Sequence, residues 1–168
     1  MKAELTYQPE SGAFEEVRFE QSTVWNSQVF SWVKFEDQEH QDWFGSFRGQ
    51  ALGYLAICEL TGKVMIPTED GTYLVNIKSR QLVKFYGVEH QISFVISAPY
   101  GRTFILASHS ELYRTNEENE LIHIPCQLNM DLIKLKSISG EKVEFEFEEI
   151  GIWNQTRGIL NTKTWKLE

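Results

Sequence analysis

Polar and apolar side chains alternate along many short stretches of this chain, and this alternation limits its fold more than any other feature. In "KVEFEFEEI", Val143, Phe145 and Phe147 fall on one face, and mostly acidic side chains fall on the other. A period of two residues is typical of a β-strand with one buried face. Almost no window has the apolar spacing of an amphipathic helix of ten or more residues. The sequence therefore predicts an all-β protein.

Turn signals separate the predicted strands at short intervals. "EDGT" at 69–72 lies between "KVMIP" and "TYLVNI", and its Asp-Gly pair tolerates the positive φ angles of tight hairpins. Short strands with such punctuation indicate an antiparallel meander of hairpins that forms a sandwich or a partly open barrel. The chain has 168 residues, of which 42% are apolar, so we expect a single all-β domain covering residues 1–168.

A weak repeat in the second half predicts propeller-blade-like hairpins. "DGTYLVNIKSRQLVKF", "GRTFILASHSELYRT" and "GEKVEFEFEEIGIW" each run from a glycine turn into a strand, and Gly71, Gly101 and Gly140 are 30 and 39 residues apart. A closed propeller needs at least about four blades, and the visible repeat is shorter than that. We therefore predict repeated hairpins and not a full propeller.

The charge of the chain restricts its partners. Twenty-four acidic residues against sixteen basic ones give a net charge of −8, which repels a phosphate backbone unless basic residues cluster. The densest basic segment holds only Lys78, Arg80 and Lys84. The sequence thus predicts no nucleic-acid partner and no membrane partner, and it favours a basic protein. The first ten residues, "MKAELTYQPE", lack the apolar core of a signal peptide, so we expect a cytoplasmic location.

The densest acidic segment, at 36–42, could in principle bind a metal ion. Glu36, Asp37, Glu39, His40 and Asp42 all carry possible ligands. An EF-hand loop beginning at Asp37 would need glycine at its sixth position and glutamate at its twelfth, which the sequence does not provide. A less regular site of oxygen ligands and a histidine stays open as an alternative, but we predict no metal and no cofactor.

No catalytic motif accompanies these acidic residues. The sequence contains no GxSxG nucleophile elbow, no HExxH helix and no phosphate-binding glycine loop. We therefore predict a protein without enzymatic activity.

Two acidic segments are candidates for a partner-binding surface. The first holds Glu36, Asp37, Glu39 and Asp42 and is followed directly by the aromatic residues Trp43 and Phe44. The second places three glutamates on one face of a predicted strand, about 7 Å apart, where they repel one another; these are Glu144, Glu146 and Glu148. Two accounts of this row stay open: neighbouring strands supply lysine or arginine, or a basic partner does.

The segments "EDQEHQDW" and "EFEFEE", with the small size and acidic charge of the chain, carry a resemblance. The protein resembles the immunity proteins of bacterial contact-dependent and polymorphic toxin systems. The resemblance implies a protein that neutralises a basic cognate toxin, such as a nuclease, by direct binding. Two alternatives remain: a β-fold that binds or converts a sugar or small metabolite through tryptophans such as Trp43 or Trp153, and an adaptor built on propeller-like hairpins.

Overall fold

The computed structural model describes residues 1–21, 27–152 and 154–167, and it confirms the all-β prediction. Its strands form four sheets of four strands each, which we number I to IV in chain order. Among the described residues none of these sheets closes into a barrel, and successive sheets pack through shared apolar clusters, which is consistent with an all-β sandwich. Within the described residues, the only helical segment is a 3-10 turn at Val88–His90.

Sheet I is built from the first four strands. These are β1 (Lys2–Thr6), β2 (Glu15–Phe19), β3 (Phe30–Glu36) and β4 (Asp42–Arg48). Their order across the sheet is β1-β3-β4-β2, so β2 lies at the edge opposite β1 and runs parallel to β4. Sheet I is therefore not a simple meander. In a meander, tight hairpins join neighbouring antiparallel strands, whereas β2 and β4 are parallel neighbours and a tight hairpin cannot join them.

Sheets II, III and IV are antiparallel meanders with the four strands typical of a propeller blade. Sheet II contains β5 (Ala56–Cys58), β6 (Lys63–Thr68), β7 (Gly71–Asn76) and β8 (Gln81–Tyr86). Sheet III contains β9 (Phe94–Ser97), β10 (Phe104–Ala107), β11 (Leu112–Thr115) and β12 (Leu121–Ile124). Sheet IV contains β13 (Met130–Ser139), β14 (Lys142–Glu149), β15 (Asn154–Asn161) and β16 (Lys166–Leu167).

Three apolar clusters join successive sheets. Sheets I and II share a cluster around Trp43 and Tyr73, sheets II and III share one around Leu74 and Phe104, and sheets III and IV share one around Phe145. Burial of this apolar surface is the main force that holds the sheets together. Among the described residues, none of the three clusters contains members of both sheet I and sheet IV.

The repeat in the structure has a different phase from the one predicted from sequence. Gly101 and Gly140 lie between the first and second strands of sheets III and IV, whereas Gly71 is the first residue of β7, the third strand of sheet II. The residue of sheet II that matches them in position is Gly62, and Gly62, Gly101 and Gly140 follow one another at intervals of 39 residues. From sequence, Gly71 was grouped with Gly101 and Gly140 in place of Gly62, because "EDGT" is the stronger turn signal.

Candidate functional site

The first acidic segment forms the turn of the hairpin between β3 and β4. Asp37 organises this turn, since its carboxylate accepts the backbone N–H groups of Glu39 at 2.8 Å and Gln41 at 3.0 Å. The hydrogen bond from Gln41, which has the larger effect, and that from Glu39 lower the pKa of Asp37. The side chain of Glu39 is exposed. Asp37 therefore has a structural role in the turn.

Two carboxylates of this segment form ion pairs with other residues of the chain at the protein surface. Glu36 contacts the amine of Lys2 at 2.9 Å and the Nδ1 atom of His40 at 2.6 Å. Asp42 lies 2.8 Å from the amine of Lys34, across the β3–β4 pair. The hydrogen bond to Asp42 raises the pKa of Lys34. Two of the four carboxylates of this segment are thus paired with a lysine, whereas Asp37 and Glu39 form no ion pair with a described residue.

The contacts of Glu36 predict a pH dependence of stability. Hydrogen bonds from Lys2 and His40 lower the pKa of Glu36 from 4.5 to about 2. The pKa of Glu36 is lower in the folded state than in the unfolded state. The hydrogen bonds of Glu36 therefore stabilise the folded state above pH 4.5, and this stabilisation is lost as the pH falls towards 2. We expect the difference in unfolding free energy between the native protein and Glu36→Gln to shrink over that interval, as measured by urea unfolding at several pH values.

Glu39→Gln is the matched control for this experiment. This variant removes a carboxylate from the same turn. The carboxylate of Glu39 forms no ion pair with any described residue. We expect it to leave the pH dependence unchanged. An equal change of slope in both variants would contradict the role assigned to Glu36.

Trp43 and Phe44 are not available to a partner, which corrects their assignment as interface residues. Trp43 is fully buried and stacks on Phe35 with ring centroids 4.0 Å apart. Phe44, on the other face of the sheet, is only 6% exposed and is covered by Phe14, with centroids 4.8 Å apart. Both are packing residues because alternation along β4 directs one into the cluster with sheet II and the other beneath Phe14.

In the second acidic segment, neighbouring strands supply cations to two of the three glutamates. Glu146 lies 2.8 Å from the amine of Lys136 on β13, and this contact lowers the pKa of Glu146. Glu144 lies 3.4 Å from the guanidinium of Arg157 on β15 and accepts a hydrogen bond from Ser137 at 2.8 Å. For these two residues the first of the two accounts holds, because neighbouring strands supply their cations.

Glu148, the third glutamate of the row, has no cation from a neighbouring strand among the described residues. Its neighbours across the sheet are Asp131 on β13 and Gln155 on β15, so an acid faces it where the other two glutamates meet cations. The next residue, Glu149, lies opposite Met130. Within the described residues, no lysine or arginine forms an ion pair with Asp131, Glu148 or Glu149. Asp131 and Glu148 thus share one face at this end of sheet IV, and Glu149 lies at the same end on the opposite face, because successive side chains of a strand alternate.

Exposed aliphatic side chains stand next to these carboxylates in the chain. Their exposed fractions are 40% for Leu128, 43% for Leu132, 48% for Ile150 and 59% for Ile152. The N–H of Ile150 donates to the carbonyl of Asn129 at 2.9 Å, which holds the β14–β15 turn against the segment that leads into β13. We call this group the sheet IV end surface; it comprises Leu128, Asp131, Leu132, Glu148, Glu149, Ile150 and Ile152.

Of the residues in this surface, only Glu148 was predicted from the sequence as a binding residue. A local signal was present, because Ile150 and Ile152 flank Gly151 in a turn, where aliphatic residues gain little from burial. Asp131 could not be found in this way, since only the register of β13 against β14 brings it to Glu148. The two predicted acidic segments lie on different sheets, I and IV.

The tryptophans offer little support for a sugar site around Trp43. That side chain is buried, and Trp165 packs against the cluster between sheets III and IV. Trp25 and Trp153 lie outside the described residues. Trp32, on β3, remains partly exposed.

In the part of the chain that the structure describes, no group of three or more His, Cys, Asp or Glu side chains is arranged to hold a metal ion. The same residues include no helix with the length and apolar character needed to cross a membrane.

Fold and surface together define an all-β protein of four-stranded sheets with an acidic and apolar surface at one end. No protein-family model and no curated protein matches the sequence. Hydrazine synthase from Kuenenia stuttgartiensis is similar in structure, with a TM-score of 0.57 and 14% identity over 82% of this chain and 44% of that chain. The dihydro-heme d1 dehydrogenase NirN has a TM-score of 0.52 and 13% identity over 83% of this chain and 43% of its own. This chain spans less than half of either structure, and the similarity concerns the fold alone.

Proposed function

We propose that this protein is a non-enzymatic protein-binding domain that neutralises a basic partner, as a bacterial immunity protein neutralises its cognate toxin. The observation that carries the proposal is the sheet IV end surface, where Asp131 faces Glu148 across the sheet and none of Asp131, Glu148 and Glu149 forms an ion pair with a described residue. Exposed aliphatic side chains stand next to them in the chain. The proposed location is the cytoplasm, where such a toxin would act. The proposal involves no catalytic step and no cofactor.

The chemistry of this surface favours a cationic protein. Asp131 and Glu148 lie opposite each other across the β13–β14 pair, where like charges repel one another, and a lysine or arginine from a partner relieves that repulsion. The aliphatic side chains of Ile150 and Ile152 would supply apolar contact area next to the charges. Charges of this kind increase the rate of association and select the partner, while apolar contacts slow dissociation.

A charge-reversal experiment tests the proposal. The triple variant Asp131→Lys, Glu148→Lys, Glu149→Lys removes the acidic charge of the surface. The control, Glu10→Lys, Glu117→Lys, Glu118→Lys, makes the same change in net charge at exposed residues elsewhere. Affinity capture from the native cell identifies the partner by mass spectrometry. Its affinity for each purified variant is then measured at low and high salt.

We expect the captured partner to contain a basic domain. Its affinity for the surface variant should be at least about 100-fold lower than for the native protein, and its affinity for the control less than about threefold lower. Co-expression of the native protein, but not of the surface variant, should also relieve any growth inhibition caused by that domain. An acidic partner, or an equal loss of affinity in both variants, would contradict the proposal.

A further inference from the structure

A hollow of about 540 Å³ lies on the face of sheet I that points away from sheet II. Its floor is Ser46, which is 4% exposed and lies on β4. In the sheet register Ser46 is paired with Trp32 of β3 on one side and with Arg18 of β2 on the other. The hollow forms because one small side chain lies between two large ones.

Aromatic rings form one part of the wall. Trp32 and Phe30 are two residues apart on β3, so their side chains point to the same face, and both remain partly exposed. The guanidinium of Arg18 lies 4.3 Å from the centre of the Phe30 ring, which holds it at the rim. Trp32 therefore presents part of its ring to the hollow.

Polar groups without partners form the rest of the wall. The amides of Gln8 and Gln28 and the carboxylate of Glu16 are exposed and make no hydrogen bond or ion pair with any described residue. Each amide offers both donors and an acceptor. Arg18 bonds Glu20 at 2.6 Å, and the formal charges of Glu16 and Arg18 cancel within the lining.

We propose that this hollow binds an uncharged carbohydrate. A hexose ring has an apolar C–H face that stacks on an indole ring, and a rim of hydroxyl groups that both donate and accept hydrogen bonds, which matches the two kinds of wall. A phosphorylated or otherwise anionic ligand would meet Glu16, and Arg18, the one cation among the described lining residues, is already paired with Glu20. A purely apolar ligand would leave the amides and the carboxylate without partners.

This inference does not depend on the proposed binding of a basic protein, because its residues lie on sheet I and the sheet IV end surface lies on another sheet. A volume of 540 Å³ is within the range of small-molecule sites.

The test uses the full chain and a panel of D-glucose, D-galactose, D-mannose, N-acetyl-D-glucosamine and their disaccharides. Saturation-transfer NMR detects binding, and titration by tryptophan fluorescence gives the affinity. Trp32→Ala removes the aromatic wall, and the double variant Glu16→Ala, Gln28→Ala removes polar contacts at exposed residues without touching the core. Trp165→Ala, on sheet IV, is the control.

We expect saturable binding of at least one sugar, with affinity lowered about tenfold or more by Trp32→Ala and by the double variant, and unchanged by Trp165→Ala. The sugar C–H protons on one ring face should receive the strongest saturation transfer. Absence of saturable binding across the panel up to about 10 mM would overturn the proposal. Equal affinity of the native protein and the double variant would overturn it as well.

Discussion

Replacing Trp43 with alanine is expected to lower the free energy of unfolding by about 3–5 kcal/mol. The side chain is fully buried between sheets I and II and stacks on Phe35 with the two rings 13° from parallel. Alanine would leave a cavity that the surrounding rings of Phe47 and Tyr73 cannot fill without moving. Unfolding in guanidinium chloride followed by circular dichroism measures the loss.

Trp43→Phe separates packing from the indole nitrogen. The Nε1 atom of Trp43 is buried and has no hydrogen-bond partner among the described residues. Phenylalanine removes this unsatisfied donor and keeps a ring against Phe35, so we expect a loss of less than about 1.5 kcal/mol. If Trp43→Ala proved as stable as the native protein, the placement of Trp43 in the core would be wrong, and its role as an interface residue would have to be reconsidered.

Gly71→Ala is expected to destabilise the protein by about 2–6 kcal/mol, from backbone strain and overpacking together. Gly71 has a φ angle of +139°, which residues with a side chain rarely adopt. A Cβ atom there would also lie 2.5 Å from the Phe85 ring and 2.6 Å from the carbonyl oxygen of Tyr86. Both neighbours belong to β8, so relief would require a shift of that strand.

Gly140→Ala is the matched control. Gly140 also has a positive φ angle, +59°, but a Cβ atom there would have no other atom within 4 Å. We expect a loss of about 1–2 kcal/mol, which is the cost of the left-handed conformation alone. Thermal and urea unfolding of the two variants side by side would show whether close packing at Gly71 adds to this cost. Equal losses of stability in Gly71→Ala and Gly140→Ala would contradict a contribution from close packing at Gly71.

The class of fold could be predicted because it depends on local patterns. Alternation at Val143, Phe145 and Phe147 predicted a strand with one buried face, and all three side chains are buried. The Asp-Gly pair predicted the hairpin between β6 and β7, which is confirmed. The parallel position of β2 beside β4 could not be predicted, because no local pattern records which edge of a sheet a strand joins.

The candidate sites were harder to predict, since they depend on pairs of residues distant in sequence. The segment around Glu36 is as acidic as its sequence suggests, but Lys2, 34 residues away, and Lys34 pair with two of its four carboxylates. Trp43 alternates in phase with Phe47, a local indication that both belong to one face. Whether that face is covered by sheet II or open to a partner is decided by the packing of the sheets.

The sequence by itself determined that this chain forms short strands and tight turns, because the period of two residues and the turn residues act through local sterics. Only the tertiary structure decided which charges remain free. The register of β13, β14 and β15 gives Glu146 the cation of Lys136 and gives Glu144 that of Arg157, while it places Asp131 opposite Glu148. The physical reason is that ion pairs form over a few ångströms of space, and strand pairing sets those distances without regard to separation along the chain.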